Sequence, residues 1–221
     1  MSKYFLLACF GIAIIGFIGF LLASKDNYQK HYPFKYDLRN YYPYELNYEM
    51  RFKENIFGNC LLLLSTLALL GCFTTFFFTS TNAFTYVVAS VGLFGSFIPA
   101  AIVFTPLTAG KKHIIIDCIA FFLAFLTPGL IAIESFRLFN HLNNSVALVA
   151  FIISILICLV IFILIMNPKI TKWAEMEKHV NEDGSATYQR PKYFVLAFSE
   201  WIVIFTVYLT IIPFIILSFI G

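Results

Sequence analysis

Six apolar stretches alternate with polar segments along the chain, and each is long enough to cross a bilayer as a helix. They cover roughly residues 4–23, 56–78, 84–104, 113–136, 145–166 and 193–220. A helix needs about 20 apolar residues to span the hydrocarbon core, because it rises about 1.5 Å per residue. The pattern predicts an all-α membrane protein, a bundle of six transmembrane helices that forms a single domain over residues 1–221.

The first apolar stretch has one feature of a signal peptide, because Lys3 precedes it. Its apolar run is longer than a typical signal-peptide core, and no A-x-A cleavage pattern follows it. The stretch is therefore predicted to be retained as a transmembrane helix. Gly11, Gly16 and Gly19 would let a second helix approach it closely, because glycine has no side chain.

The polar segment between the first two stretches, residues 25–55, is unusually aromatic. It holds seven of the twelve tyrosines, together with six Lys/Arg and five Asp/Glu residues. Such a composition argues against a disordered linker. The segment is either an aromatic belt at the membrane interface or a lid that binds a ligand or a partner protein. Its tyrosines are Tyr28, Tyr32, Tyr36, Tyr41, Tyr42, Tyr44 and Tyr48.

Prolines and small residues predict where the helices bend and pack. Pro99 is predicted to kink the third helix, and Pro128 with Gly129 to weaken the fourth. The fifth stretch is apolar on nearly all sides and is predicted to be a peripheral, lipid-facing helix. In the third stretch a small residue recurs every four positions, at Gly92, Ser96 and Ala100, which favours close helix packing.

Composition agrees with a membrane protein and excludes several functions. The chain is 60% hydrophobic and only 12% charged, with a mean hydropathy of +0.84, whereas a soluble domain is about half apolar and a quarter charged. The net charge of +3 without a basic run argues against a nucleic-acid partner. No phosphate-binding glycine loop or Gly-x-Ser-x-Gly elbow is present, so no cofactor is predicted and the sequence favours a protein that is not an enzyme.

The five cysteines all lie in apolar stretches and have no metal-like spacing. They are interpreted as buried, inert thiols.

Five polar residues inside or beside the apolar stretches form the candidate site. An ionisable group in the hydrocarbon core costs about 3 kcal/mol or more, so it must face the protein interior, find a partner or bind a proton. The second, fourth and sixth stretches enter the membrane from the face that carries the large loops. Their polar residues are therefore predicted to lie at one level, within about 10 Å of that face. They are Asn59, His113, Asp117, Ser199 and Glu200.

Three hypotheses fit this cluster: hydrogen bonds that fix helix packing, a pocket for a lipid headgroup or small molecule, and a catalytic site. His113 and Asp117 share one helix face because they are four residues apart. No second histidine lies next to His113 in the apolar stretches, so no metal site is predicted.

Several short motifs together resemble the DRAM family, the damage-regulated autophagy modulators, with their Frag and Sfk relatives. They are Pro43-Tyr44-Glu45 followed by Phe57-Gly58-Asn59, His113 followed by Phe121-Phe122, and Ser199-Glu200-Trp201. The resemblance covers the layout of six spans with a long first loop. It implies a membrane protein that is not an enzyme, acts in lipid homeostasis of endolysosomal, secretory or plasma membranes, and has membrane lipids or a protein as partners.

Orientation and two alternative functions stay open. The resemblance implies that both termini are cytosolic, whereas 13 of the 15 Lys/Arg residues lie in the three loops that this orientation places outside. The positive-inside rule favours the opposite orientation. The alternative functions are a small transporter or substrate-binding subunit that uses Asp117 and Glu200, and a structural subunit of a larger membrane complex.

Overall fold

The computed structural model describes residues 2–33, 35–47, 52–79, 82–171, 177–180 and 185–220. Within these residues six helical spans are long and apolar enough to cross a membrane, which confirms the predicted all-α bundle of six transmembrane helices. The helices are α1 (Ser2–His31), α2 (Ile56–Thr79), α3 (Ala83–Gly95), α4 (Ile98–Phe104), α5 (Lys111–Leu142), α6 (Ser145–Ile165) and α7 (Val195–Ser218).

Two short strands supplement the bundle outside the spans. Strands β1 (Glu177–Val180) and β2 (Ala186–Gln189) pair antiparallel, with Val180 opposite Ala186. Single helical turns stand at Pro43–Asn47, Leu107–Ala109 and Pro168–Thr171. Of the seven loop tyrosines, Tyr48 lies outside the described residues.

The third span is broken where the sequence predicts a bend. Helix α3 ends at Gly95, four residues before Pro99, and α4 begins at Ile98. A proline lacks the amide hydrogen that would bond the carbonyl four residues earlier, and its ring clashes with that carbonyl. Pro128 has no comparable effect, because α5 continues through it as one helix.

The sixth span is the central helix of the bundle. This span is helix α7, and 61% of the residues in its most apolar stretch are buried. In helix α6, the fifth span, the corresponding share is 28%. Helix α7 contacts α1, α2, α4, α5 and α6. The low burial of α6 confirms the prediction of a peripheral helix, and the position of α7 explains why its polar residues are enclosed.

Two of the three glycines in α1 pack as predicted. A Cβ built at Gly16 would lie 3.0 Å from the Leu61 carbonyl oxygen, and one at Gly19 would lie 3.0 Å from the Leu61 side chain. Helix α2 therefore approaches α1 closely at these two positions. The prediction for Gly11 is wrong, because a Cβ there would meet nothing within 4 Å.

Two helices extend beyond the ends that the sequence predicts. Helix α1 reaches His31 rather than residue 23, and α5 reaches Leu142 rather than residue 136. The polar residues there mark the edge of the apolar span and not the end of the helix. In α1 an ion pair between Lys30 and Asp26 (2.7 Å) supports the added turns, as expected for residues four apart.

The first polar segment folds onto the loop end of α7, and residues 35–47 are called the loop cap below. Tyr36 and Tyr42 are 4% and 1% exposed, so protein rather than a lipid interface surrounds them. The Trp201 indole N–H of α7 donates to the Tyr41 carbonyl at 3.0 Å. The loop cap is thus an ordered part of the molecule.

The interpretation of the cysteines needs one correction. All five are free thiols, and Cys9, Cys72 and Cys158 are buried as predicted. Cys60 and Cys118 are exposed instead. Their position in an apolar stretch does not bury them, because the outward face of a membrane helix is also apolar.

Candidate functional site

His113 lies at the centre of the polar cluster, between two carboxylates. Its Nε2 atom is 3.2 Å from Oδ2 of Asp117, one turn further along α5, and 3.2 Å from Oε1 of Glu200 on α7. Residue exposures are 1% for His113, 7% for Asp117 and 0% for Glu200. The cluster therefore joins α5 to α7 inside the protein, close to the end of the bundle that carries the loop cap.

The start of α5 fixes the orientation of the histidine ring. Gly110 adopts a left-handed φ of +56°, which glycine tolerates, and α5 begins at the next residue. The ring then turns back so that Nδ1 lies 2.9 Å from the carbonyl oxygen of Thr105 at the end of α4. Because a carbonyl only accepts hydrogen bonds, Nδ1 carries the hydrogen and donates it. Nε2 is left facing the carboxylates.

Three buried oxygen atoms around the cluster have no hydrogen-bond partner among the described residues. They are Oδ1 of Asp117, Oε2 of Glu200 and the hydroxyl of Tyr42. A buried polar atom without a partner costs about 1–3 kcal/mol, and more when it is charged. Each of these three atoms can therefore interact with a further group, such as a water molecule, a ligand or a cation.

The loop cap covers the cluster with two aromatic rings. The centroids of Tyr42 and Tyr44 lie 6.2 and 5.9 Å from that of His113, both edge-on. Burial, followed by the negative charge of Glu200, raises the pKa of Tyr42 well above its ordinary value. The Tyr42 hydroxyl therefore keeps its proton and is able to donate a hydrogen bond near the acidic cluster.

An ion pair holds this part of the loop cap in place. Arg190 binds Glu45 through two contacts, Nη2 to Oε1 at 2.6 Å and Nη1 to Oε2 at 2.7 Å. Oε2 of Glu45 also accepts the backbone N–H of Tyr42 at 2.7 Å. The segment before α7 therefore fixes the tyrosine that stands over His113.

The structure brings together three of the five predicted site residues. Asn59 donates to the Phe52 carbonyl at 3.3 Å, and its Oδ1 is buried without a partner among the described residues. Ser199 is buried but donates to the Val195 carbonyl of its own helix at 2.6 Å. In the described structure neither side chain forms a hydrogen bond or an ion pair with His113, Asp117 or Glu200.

Sequence reasoning missed Tyr42, Tyr44 and Thr105 as neighbours of His113. The abundance of tyrosine in the loop was the available signal for the first two, but nothing in the pattern points to particular members. A second buried network was also missed: Asn55 donates to Ser24 at 2.8 Å and to Asn47 at 3.0 Å. It anchors the end of the loop to α1.

A cavity of about 560 Å³ adjoins the cluster. His113 and Asp117 form its polar part, and aliphatic and aromatic side chains form the rest. Several wall residues are exposed, including Ile114 at 43% and Phe122 at 61%, so the cavity is open to the surface of the bundle. Its apolar walls come from α5, the end of α6, the turn after it and the start of α7: Ile114, Phe121, Phe122, Ile165, Ile170 and Leu196.

The cluster has the chemical groups of a cation site as well as of a hydrogen-bond site. His113, Asp117 and Glu200 each offer one ligand atom, and these atoms all lie within 4.8 Å of one another. The sequence predicted no metal site because no second histidine lies next to His113 in the apolar stretches, and that prediction did not consider carboxylates from other helices.

Comparisons of the chain with protein-family models, with curated proteins and with solved structures found no match.

Proposed function

We propose that this polytopic membrane protein binds a membrane lipid in the cavity beside α5 and α7, with the headgroup at His113 and Asp117. The observation that carries the proposal is the cavity itself, about 560 Å³, apolar along its walls and polar where the cluster begins. Ligand pockets are of this kind, concave and mostly apolar with a few convergent polar groups.

The lateral opening favours a lipid over a water-soluble ligand. Ile114 and Phe122 line the cavity at its exposed side, and both belong to a span long and apolar enough to cross the membrane. An acyl chain can enter such an opening without leaving an apolar environment. A polar solute would have to pass the same apolar side chains without hydrogen-bond partners, which is costly.

A DRAM-like role in membrane lipid homeostasis is part of this proposal. Its support is the set of short motifs, of which Ser199-Glu200-Trp201 includes a residue of the buried cluster. In this role the protein would bind and present a lipid, alone or to a protein partner, without turning it over.

Filling the cavity tests the proposal. Cys118 lines the cavity and Ile119 beside it is exposed without lining it. We expect wild-type protein, extracted in a mild detergent, to retain a lipid in native mass spectrometry. Cys118→Trp should lose most of it, and Ile119→Trp should keep it. Equal retention by both variants, or a wild type without lipid, would contradict lipid binding in this cavity.

A small cation transporter is the second candidate. The observation that favours it is the pair of buried carboxylates on Asp117 and Glu200, each with one oxygen that lacks a partner in the described structure. Uptake of a labelled cation into proteoliposomes, present in wild type and abolished in Glu200→Gln, would support transport. Absence of uptake by a folded wild type would exclude transport of the cations that were tested.

A further inference from the structure

We propose that His113, Asp117 and Glu200 bind one divalent transition-metal cation, with Zn²⁺ as the best fit. The three side chains come from two helices, α5 and α7, and their ligand atoms all lie within 4.8 Å of one another. The inference does not require the proposed lipid: a metal could occupy the cluster whether or not the cavity holds a ligand.

The spacing of the atoms agrees with a common coordination sphere. In a tetrahedral zinc site with bonds of about 2.0–2.1 Å, neighbouring ligand atoms are about 3.3 Å apart. Nε2 of His113 lies 3.2 Å from Oδ2 of Asp117 and 3.2 Å from Oε1 of Glu200. Two edges of the tetrahedron are therefore already in place, and rotation of one carboxylate can close the third, since its terminal torsion is soft.

The second ring nitrogen of His113 is bound in the same way as in metal-binding histidines. Ligating imidazoles usually donate their second N–H to a backbone carbonyl or a carboxylate, which fixes the ring and its tautomer. Nδ1 of His113 donates to the Thr105 carbonyl at 2.9 Å. The lone pair of Nε2 then faces two carboxylate oxygens, an arrangement that is repulsive unless a proton or a metal cation lies between Nε2 and these oxygens.

The charges of the cluster also favour a bound cation. With a neutral imidazole, the two carboxylates carry a formal charge of −2, and in the described structure His113 is the only ion-pair partner of both. Uncompensated charge in a buried site is very costly. A divalent cation neutralises the cluster in one step, whereas a proton on His113 neutralises half of the charge and a second proton, on a carboxylate, is needed for the rest.

Two carboxylate oxygens without hydrogen-bond partners are a second observation that points to a ligand. Oδ1 of Asp117 and Oε2 of Glu200 are buried without hydrogen-bond partners among the described residues, and their side chains are only 10% and 0% exposed. One nitrogen and two carboxylate ligands suit Zn²⁺ and leave its fourth position open, as in sites where zinc holds water or a ligand. That position would be close to the cavity that His113 and Asp117 also line.

Metal content is the direct test, and the chain supplies a matched control. Glu134 is also a buried carboxylate of α5, 4% exposed, but it pairs with Arg137 at 2.7 Å. Untagged wild type, Glu200→Gln and Glu134→Gln are loaded with Zn²⁺, freed of unbound metal and measured by inductively coupled plasma mass spectrometry. We expect one Zn²⁺ per chain in wild type and in Glu134→Gln, and an affinity at least about 10-fold lower in Glu200→Gln.

A wild type without bound zinc, or equal binding by all three proteins, would overturn the proposal. If Glu200→Gln fails to fold, wild type alone decides the question through Co²⁺. We expect the visible absorption of a low-symmetry four-coordinate Co²⁺ site, lost on addition of one equivalent of Zn²⁺ and restored after chelation and reloading. A monodisperse wild type without such bands contradicts the site in the same way.

Discussion

The ion pair between Glu45 and Arg190 should contribute measurably to stability, because it fastens the loop cap to the segment before α7. Its two contacts are 2.6 and 2.7 Å long, and the side chains are 17% and 32% exposed. Arg190 also lies over the Tyr41 ring, with 5.1 Å between the guanidinium carbon and the centroid. The perturbation is Arg190→Gln, which removes the charge and the two-pronged geometry.

The expected magnitude lies between two known limits. Exposed ion pairs contribute about 0–1 kcal/mol, and loss of one partner from a fully buried pair costs about 3–5 kcal/mol. The partial burial of Glu45 and Arg190 places their pair between these limits, and hydrogen bonds to charged groups contribute about 1.5–3 kcal/mol. We therefore expect Arg190→Gln to lower the free energy of unfolding by about 2 kcal/mol.

A double-mutant cycle isolates the pairwise part of this loss. Glu45→Gln, Arg190→Gln and the double variant are unfolded in mixed micelles, with fluorescence of the buried Trp201 as the signal in a Trp173→Phe background. We expect a coupling energy of about 1–2 kcal/mol, because neighbours that share hydrogen bonds are not additive. Trp173 lies outside the described residues and is replaced only to isolate the signal.

The pair of Asp37 and Arg39 is the control for this cycle. It has the same chemistry, with Nη2 to Oδ2 at 2.6 Å, but its side chains are 34% and 48% exposed. Its coupling energy should be clearly smaller. A coupling between Glu45 and Arg190 no larger than that of the control would refute the claim that burial of the ion pair fastens the loop cap.

Two further perturbations test the packing and the electrostatics. Gly92→Ala should destabilise the protein by about 1–3 kcal/mol, because the new Cβ would overlap the buried Phe73 ring; Gly11→Ala, in open space, should be neutral or stabilising by up to about 1 kcal/mol in the same unfolding assay. Hydrogen bonds from Arg39 lower the pKa of Asp37 below 3.8, so their stabilisation is present above that pH and lost as the pH falls through the lowered pKa. The melting temperatures of wild type and Asp37→Asn should differ at pH 7 and converge once the pH falls below the lowered pKa of Asp37; a difference that persists there would contradict the assignment.

The number and approximate limits of the membrane spans were readable from the sequence, because a bilayer requires about 20 apolar residues in a row. The break before Pro99 could also be predicted from a local cause, because proline has no amide hydrogen to donate to the helix. Helix ends were less predictable, as α1 shows: Asp26 and Lys30 leave the apolar pattern but remain helical and pair with each other. Hydropathy reports where the membrane ends, whereas helix ends depend on local contacts.

The sequence predicted the depth of the candidate-site residues along their helices, but not whether each side chain faces the interior of the bundle. Counting residues from the loop ends places Asn59, His113 and Glu200 at one level, and the contact between His113 and Glu200, 87 positions apart, agrees with it. Asn59 is predicted at the same level but donates to the Phe52 carbonyl instead. A helix that is apolar on all sides gives no signal for which face points inward, so the sequence could not separate Asn59 from the residues that meet.

The loop cap explains why ionisable groups this near the end of the bundle can act as a buried site. Without Tyr42 and Tyr44 over the His113 ring, water would reach the cluster from the loop side and screen its charges. Exclusion of water lowers the effective dielectric constant, which strengthens the attraction between a cation and carboxylates and raises the cost of leaving them without one. Because Glu45 accepts the Tyr42 amide hydrogen and binds Arg190, the ion pair that stabilises the fold also maintains the environment in which His113, Asp117 and Glu200 would select a cation.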